Sequence, residues 1–159
     1  MNQLIFFENI TMITINARIV AEARSFLNTP FHLQGRKKGI GVDCIGLIIG
    51  VAESLTIYSK QGGLIKDYDI LNYSIFDGTQ YLKKKLTQHL EETNFLNLGN
   101  IVLFQGLPNS YHLGIIADYS TENFSLIHAC ISRSKVVEHR LTDELKNKII
   151  KIYQFVNRG

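Results

Sequence analysis

The stretch "GVDCIGLIIG", residues 41–50, decides the fold because a polar loop changes there into an apolar run. Asp43 is a residue type that caps helix N-termini, and the apolar residues after it go nearly all the way round a helix. The stretch therefore predicts a buried helix from Cys44 to about Leu55. Cys44 would lie at the positive end of that helix, where a thiolate is stabilised.

Two further helices follow from apolar spacing. "INARIVAEARSFL" repeats apolar residues at helical intervals and stops before Pro30, and "TQYLKKKLTQHLEE" is amphipathic. Gly46 and Gly50 lie four apart in the buried helix, which predicts that other elements approach it closely. Residues 57–98 otherwise lack a clear period and are interpreted as an insertion-like region packed on the core.

The second half of the chain has the pattern of strands. "NIVLF", "YHLGIIAD", "FSLIHAC", "KVVEHRL" and "IIKIYQFV" are β-branched and aromatic runs separated by turn residues, with a short helical "TDELKNK" before the last. Helices followed by strands predict an α+β fold in which N-terminal helices pack on a mainly antiparallel sheet of about five strands. The 159 residues suit one domain spanning 1–159.

Composition excludes several classes of function. Seventeen basic and fourteen acidic residues give a net charge of +3 without a basic stripe, so nucleic-acid binding is not indicated. Two cysteines and no Cys/His spacing of a zinc site predict free thiols and no structural zinc. No pattern in the sequence implies another metal or an organic cofactor. No segment reaches transmembrane length.

The N-terminus does not have the pattern of a signal peptide, because no basic residue precedes Arg18 and no cleavage site follows an apolar core. This predicts a product that is cytoplasmic as synthesised. Met12 is an alternative start, which would make residues 1–11 a dispensable extension.

Two histidines in adjacent strands are candidate partners for Cys44. A turn centred on "DYSTEN" pairs Ala117 with Asn123, and that register places His112 opposite His128 on one sheet face. If the Cys44 helix packs on this face, the three residues form a nucleophile, a base and an orienting group. His89, His139 and Cys130 lack such a context; the two histidines are interpreted as solvent-facing and Cys130 as a packing residue without access.

"TPFHLQGRKKGIGVDCIGL", "GNIVLF", "YHLGII" and "LIHA" together resemble the NlpC-type cell-wall peptidases, a papain-like family, over about residues 15–130. The glycine-rich loop and the "GVDC" approach are most similar to the branch found in bacteriophage tails and gene-transfer agents. The resemblance implies that Cys44 is the nucleophile, His112 the general base and His128 the third polar residue. The helix end and an imidazolium would then lower the pKa of Cys44 below roughly 8.5.

The resemblance also implies substrate contacts. The amide of Cys44 is a natural oxyanion donor, with His32 or Gln34 as a second, and Asp43 could pair with the free amine of a stem peptide. Phe31 and Ile45 replace a tyrosine and a serine that bind this amine in many members. The site is therefore predicted to discriminate weakly between free and blocked N-termini.

The function implied is a cysteine endopeptidase that hydrolyses peptidoglycan stem peptides, with the D-γ-glutamyl to diamino-acid bond as its target. Its partners would be cell-wall peptide and phage tail proteins, and it would be incorporated into a tail or virion. Two alternatives stay open: a papain-like amidase, deamidase or acyltransferase on another substrate, and a tail structural module that keeps the fold.

Overall fold

A computed structural model describes residues 15–69, 79–106 and 110–156. Within them the helices are α1 (residues 15–25), α2 (Cys44–Ser54), α3 (Thr79–His89) and α4 (Asp143–Lys146), with a 3₁₀ turn at Ile65–Tyr68. The strands are β1 (Arg36–Lys37), β2 (Gly41–Val42), β3 (Glu91–Thr93), β4 (Ile101–Gln105), β5 (Tyr111–Ser120), β6 (Asn123–Cys130), β7 (Lys135–Arg140) and β8 (Ile149–Gln154). The predicted 1–11 extension lies outside the described residues.

The central sheet has six strands in the order β3-β8-β4-β5-β6-β7, and every pairing in it is antiparallel. The α+β prediction is confirmed, but the expected count of five strands is one too low. The additional strand is β3, which pairs Glu92 with Tyr153 at the sheet edge. The region interpreted as an insertion thus contributes a strand to the main sheet.

Helix α2 forms where the sequence predicts it. The Asp43 side chain caps it by accepting the Gly46 amide N–H at 2.8 Å, and Leu55 ends it. Seven of its residues are buried, as expected for a helix that is apolar on most sides. Both predicted close approaches occur: a Cβ at Gly46 would lie 2.1 Å from the Gly35 carbonyl oxygen, and one at Gly50 would lie 2.5 Å from the Phe26 ring.

The predicted pairing of β5 with β6 is wrong by two residues. Ala117 pairs with Ser125, not with Asn123, because the strands run on to a bulge at which Ser120 pairs with Asn123. His112 is therefore not directly opposite His128. A shift of two residues preserves the face of each side chain, so the two histidines still share one face.

The sheet separates two apolar clusters. Helices α1 and α2 pack on one face with Leu113, Ile115 and Ile127, while a smaller cluster on the other face contains Phe104 and Ile116. His112 and His128 both contact the Phe104 ring: their ring centroids lie 5.7 Å and 5.6 Å, respectively, from the centroid of Phe104. The prediction that α2 packs on the face of the two histidines is therefore wrong, because residues alternate between faces along β5.

Candidate active site

Cys44 is the first residue of α2 and is only 2% exposed. The backbone amides of Leu113 on β5, of Ile45 and of Cys44 itself act on its Sγ and favour the ionised thiol. Leu113 directly follows His112. The helix N-terminus thus holds the thiol beside the strand that carries the candidate base, and the Leu113 amide is a polar group that the sequence pattern did not reveal.

Burial dominates the ionisation of this thiol. Burial, and after it the negative charge of Asp43, raises the pKa of Cys44 to about 12, although the three backbone amides act in the opposite direction. The predicted lowering of the Cys44 pKa is therefore wrong for the substrate-free protein. The site holds a neutral thiol, because a thiolate loses its hydration in a closed site.

His112 lies half-buried on β5, with its Nε2 3.3 Å from the Ser110 Oγ. Burial lowers the pKa of His112, which favours the neutral imidazole that a general base requires. The ring has space because residue 106 is glycine: a Cβ there would lie 2.4 Å from the His112 Cδ2. Among the described residues no hydrogen bond joins this ring to Cys44.

His128 is 9% exposed, and its Nε2 lies 2.8 Å from the Nε2 of His139. Burial, followed by the charges of His139 and His112, lowers the pKa of His128 to about 3. His139 is exposed, as predicted, but its contact with His128 was missed. The register of β6 with β7 would have revealed this contact. It places His139 opposite Leu126, which lies next to His128 on the same face of the sheet.

Asp43 is completely buried and has several internal donors. Its Oδ1 accepts a hydrogen bond from the backbone N–H of Gly46 and pairs with Arg36 at 3.1 Å, while its Oδ2 accepts one from the backbone N–H of Gln34 at 2.7 Å. Arg36 is also held by Asp69, at 2.8 Å. The carboxylate thus connects the loop before α2 to the helix, which is a structural role that needs no substrate.

The other predicted substrate residues lie in this loop or directly after it. His32 is exposed, with its Nδ1 2.9 Å from the Leu33 carbonyl oxygen, and Gln34 has a left-handed backbone with φ of 60°. Phe31 is half-buried against the core. Ile45 is 8% exposed and lines an apolar pocket that also contains Leu113.

Two absences hold for the described part of the chain. No helix there is long and apolar enough to cross a membrane. Its acidic, histidine and cysteine side chains form no cluster of three or more that could hold a metal ion.

Loss of the Asp43 carboxylate is expected to destabilise the fold strongly. Asp43→Ala removes the helix cap and takes a fully buried carboxylate away from the half-buried Arg36 guanidinium, which should cost about 3 kcal/mol or more. Asp69→Ala is the matched control, because it removes the other, partly exposed partner of Arg36 and should cost about 1 kcal/mol. Urea unfolding measures both, and equal losses would contradict the structural role of Asp43.

The two thiols are expected to react in the order of their exposure. Cys44 is buried with a raised pKa, whereas Cys130 is half-buried with its Sγ 3.2 Å from the Ser132 Oγ, so the prediction that Cys130 lacks access is reversed. Iodoacetamide at pH 7.5 should therefore modify Cys130 first in the substrate-free protein, as located by peptide mapping. Unfolding in urea should make the rates similar. Faster modification of Cys44 in the folded protein would show that its thiol is open and ionised.

Comparison with known proteins identifies the fold. The NlpC/p60 domain of the peptidoglycan hydrolase SagA matches with a TM-score of 0.52 and 19% identity, covering 88% of this chain and 98% of that domain. An N-acetylmuramoyl-L-alanine amidase from Bacteroides uniformis matches with a TM-score of 0.56 and 16% identity, covering 89% and 99% of the two chains.

A protein of the NLP/P60 family from Staphylococcus aureus, described as similar to a lipoprotein, matches with a TM-score of 0.50 and 16% identity, over 90% of this chain and 42% of that one. No family model and no curated protein matches the sequence. At these identities the matches establish the fold, which is that of NlpC/p60 domains.

Proposed function

We propose that this protein is a cysteine amidohydrolase of bacterial cell-wall peptide. The observation that carries the proposal is the position of the Cys44 thiol: it lies at the N-terminus of a buried helix, against the Leu113 amide that directly follows His112. Two of the structural neighbours are named for peptidoglycan hydrolysis or muramoyl-alanine cleavage. These names support peptidoglycan as the substrate class.

The first chemical step would transfer a proton and form a covalent bond. The Cys44 Sγ attacks the carbonyl carbon of the substrate amide while the thiol proton passes to the His112 ring. The oxyanion of the tetrahedral intermediate accepts a hydrogen bond from the backbone N–H of Cys44. A proton leaves the thiol during attack because the thiol is neutral beforehand. Catalytic hydrogen bonds are often unformed without substrate. His112 is the second residue of β5 and its ring lies on the face away from α2, so this step requires the ring to move around the start of the strand to reach Sγ when the complex forms.

The second half of the reaction restores the enzyme. Protonated His112 gives its proton to the nitrogen of the leaving amine. The C–N bond breaks, the amine departs with its electron pair, and a thioester remains on Cys44. A water molecule, deprotonated by the same imidazole, attacks the thioester carbonyl carbon; the C–S bond then breaks and the imidazolium returns the proton to Sγ. The products are a carboxylic acid, an amine and the free thiol, so the reaction needs no cofactor.

We propose that the enzyme cleaves the D-γ-glutamyl to diamino-acid bond. This cleavage would serve phage tail assembly or local penetration of the cell wall. The phage assignment is supported by the "HLQG" loop and the "GVDC" approach, which resemble the tail-associated branch. The protein would then be made in the cytoplasm and incorporated into a tail or virion.

Digestion of purified sacculi tests the proposal. The wild-type protein should release soluble peptides, and mass spectrometry should show a new α-amine on the diamino acid. Release of the intact stem peptide from its sugar would instead indicate a muramoyl-alanine amidase. Unchanged sacculi would contradict the assignment to cell-wall hydrolysis.

Weak recognition of the substrate amine is a separate expectation. The Asp43 carboxylate already has internal donors, and Ile45 presents an apolar surface where a serine would donate a hydrogen bond. The ratio of kcat/KM for stem peptides with free and acetylated N-termini should stay within about ten-fold. Ile45→Ser combined with Phe31→Tyr should raise this ratio. A strong preference for the free amine in the wild type would show that another group binds it.

The pocket at Ile45 favours one alternative. It continues from Ile45 and Leu113 to Tyr68, and its lining is almost entirely aliphatic and aromatic, with Lys85 and His89 as the polar members. A papain-like amidase, deamidase or acyltransferase with an apolar substrate would use such a surface. Hydrolysis of aliphatic amides that depends on Cys44, together with unchanged sacculi, would favour that alternative. No activity on either would favour the tail structural module.

A further inference from the structure

A chain of ring contacts runs from the exposed edge strand β7 into the sheet. The His139 Nδ1 lies 3.1 Å from the Arg140 carbonyl oxygen, and the His139 Nε2 lies 2.8 Å from the Nε2 of His128. The two rings are almost perpendicular, at 87°, with centroids 5.0 Å apart. Both contacts are within hydrogen-bonding distance, so each requires one donor and one acceptor.

The Arg140 carbonyl fixes the direction of this chain. A carbonyl oxygen only accepts, so the Nδ1 of His139 must carry its proton. In its neutral form His139 has only this one N–H, so its Nε2 is then an acceptor. The proton in the contact between the rings therefore belongs to the Nε2 of His128. It follows that the Nδ1 of His128 has a free lone pair.

That Nδ1 is buried and has no hydrogen-bond partner in the structure. An unsatisfied buried acceptor is costly, and such groups recur at functional sites. His112 is the neighbouring ring: both histidines contact Phe104, and the charge of His112 acts on His128. His112 and His128 lie on the same face of the sheet, so one nitrogen of His112 can donate to this lone pair while its other nitrogen reaches Cys44 around the start of β5.

We propose that His139 is a positioning residue that fixes the tautomer of His128, so that the Nδ1 of His128 accepts a hydrogen bond from His112. The proposal rests on the proposed function of Cys44 and His112. With one nitrogen of His112 donating to His128, its other nitrogen has the lone pair that takes the thiol proton. The contact between β6 and β7 thus determines which nitrogen of the base is available.

The environment of His128 suits this role. Burial keeps His128 neutral across the physiological range, because it lowers the pKa to about 3. A neutral ring can exist as two tautomers, so an external contact is needed to select one. His139 supplies it from an exposed position, where substitution should leave the fold intact.

Three variants test the proposal. His139→Leu removes the acceptor, whereas His139→Gln keeps a carbonyl oxygen near the position of Nε2. The control is Lys135→Gln, which changes an exposed residue on the same strand. Hydrolysis of stem peptides should fall about ten-fold in kcat/KM for His139→Leu and should stay close to wild type for the other two.

The tautomer is read separately by ¹⁵N NMR of the histidine rings. His128 should carry its proton on Nε2 in the wild type and in His139→Gln, and should become a mixture of tautomers in His139→Leu. An unchanged tautomer in His139→Leu, or a changed tautomer with unchanged kcat/KM, would overturn the proposal. A wild-type protein that hydrolyses nothing would refute the proposed function, and its NMR spectrum would still show whether His139 selects the tautomer.

Discussion

Cys44→Ala is expected to abolish amide hydrolysis and to leave the fold intact. Loss of a nucleophile that acts in a unit with a base typically costs several orders of magnitude, and at least roughly four are expected here. Cys44 packs in the core through one sulfur atom, so its removal should cost only about 1 kcal/mol of stability. Turnover of a stem peptide and urea unfolding separate the two effects.

Cys130→Ala is the matched control for this variant. It removes the other thiol, whose Sγ contacts the Ser132 Oγ, and it should hydrolyse at the wild-type rate. Equal rates for Cys44→Ala and wild type would refute the assignment of the nucleophile. Loss of activity only in Cys130→Ala would move the chemistry to the end of β6.

His112→Ala is expected to lower kcat/KM by about two to four orders of magnitude, since it removes the proposed base. In the wild type the rate should fall as the pH falls, because a protonated ring cannot accept the thiol proton. Burial lowers the pKa of His112, so this acidic limb should lie below the ordinary value of 6.5. The residual activity of His112→Ala should lack the limb. An unchanged limb in the variant would assign it to another group.

The sequence predicted those parts of the fold that depend on local pattern. Asp43 at the start of an apolar run specified the beginning of α2, and the two glycines marked the positions where Gly35 and Phe26 approach it. Each signal expresses a backbone requirement, so single residues were sufficient to show it. The five strands after residue 99 were equally visible because their apolar runs are separated by turn residues.

Features that depend on long-range pairing were not predictable in the same way. β3 is three residues long and polar, so only its pairing with β8 makes it a strand. The bulge at Ser120 shifted the register of the two catalytic candidates, and a turn pattern does not reveal a bulge. The side of the sheet on which α2 packs also depends on the whole core, which explains why the helix was wrongly predicted to pack on the face of His112 and His128.

The pKa of Cys44 was wrongly predicted for a related reason. A helix N-terminus and a nearby histidine suggest a stabilised thiolate, but burial outweighs them when the thiol is 2% exposed. The sequence indicates which groups are near one another in the chain. It does not indicate how much water reaches them, and that quantity sets the ionisation state.

The most direct measurement of the central claim is product partitioning with a synthetic stem peptide. A thioester on Cys44 can be intercepted by hydroxylamine, whereas direct attack of water on the amide gives only the acid. Mass spectrometry of the wild-type reaction should show a hydroxamate of the acyl fragment that increases with hydroxylamine concentration, and Cys44→Ala should form neither product. Free acid alone at high hydroxylamine, or the same products from Cys44→Ala, would contradict covalent catalysis by Cys44.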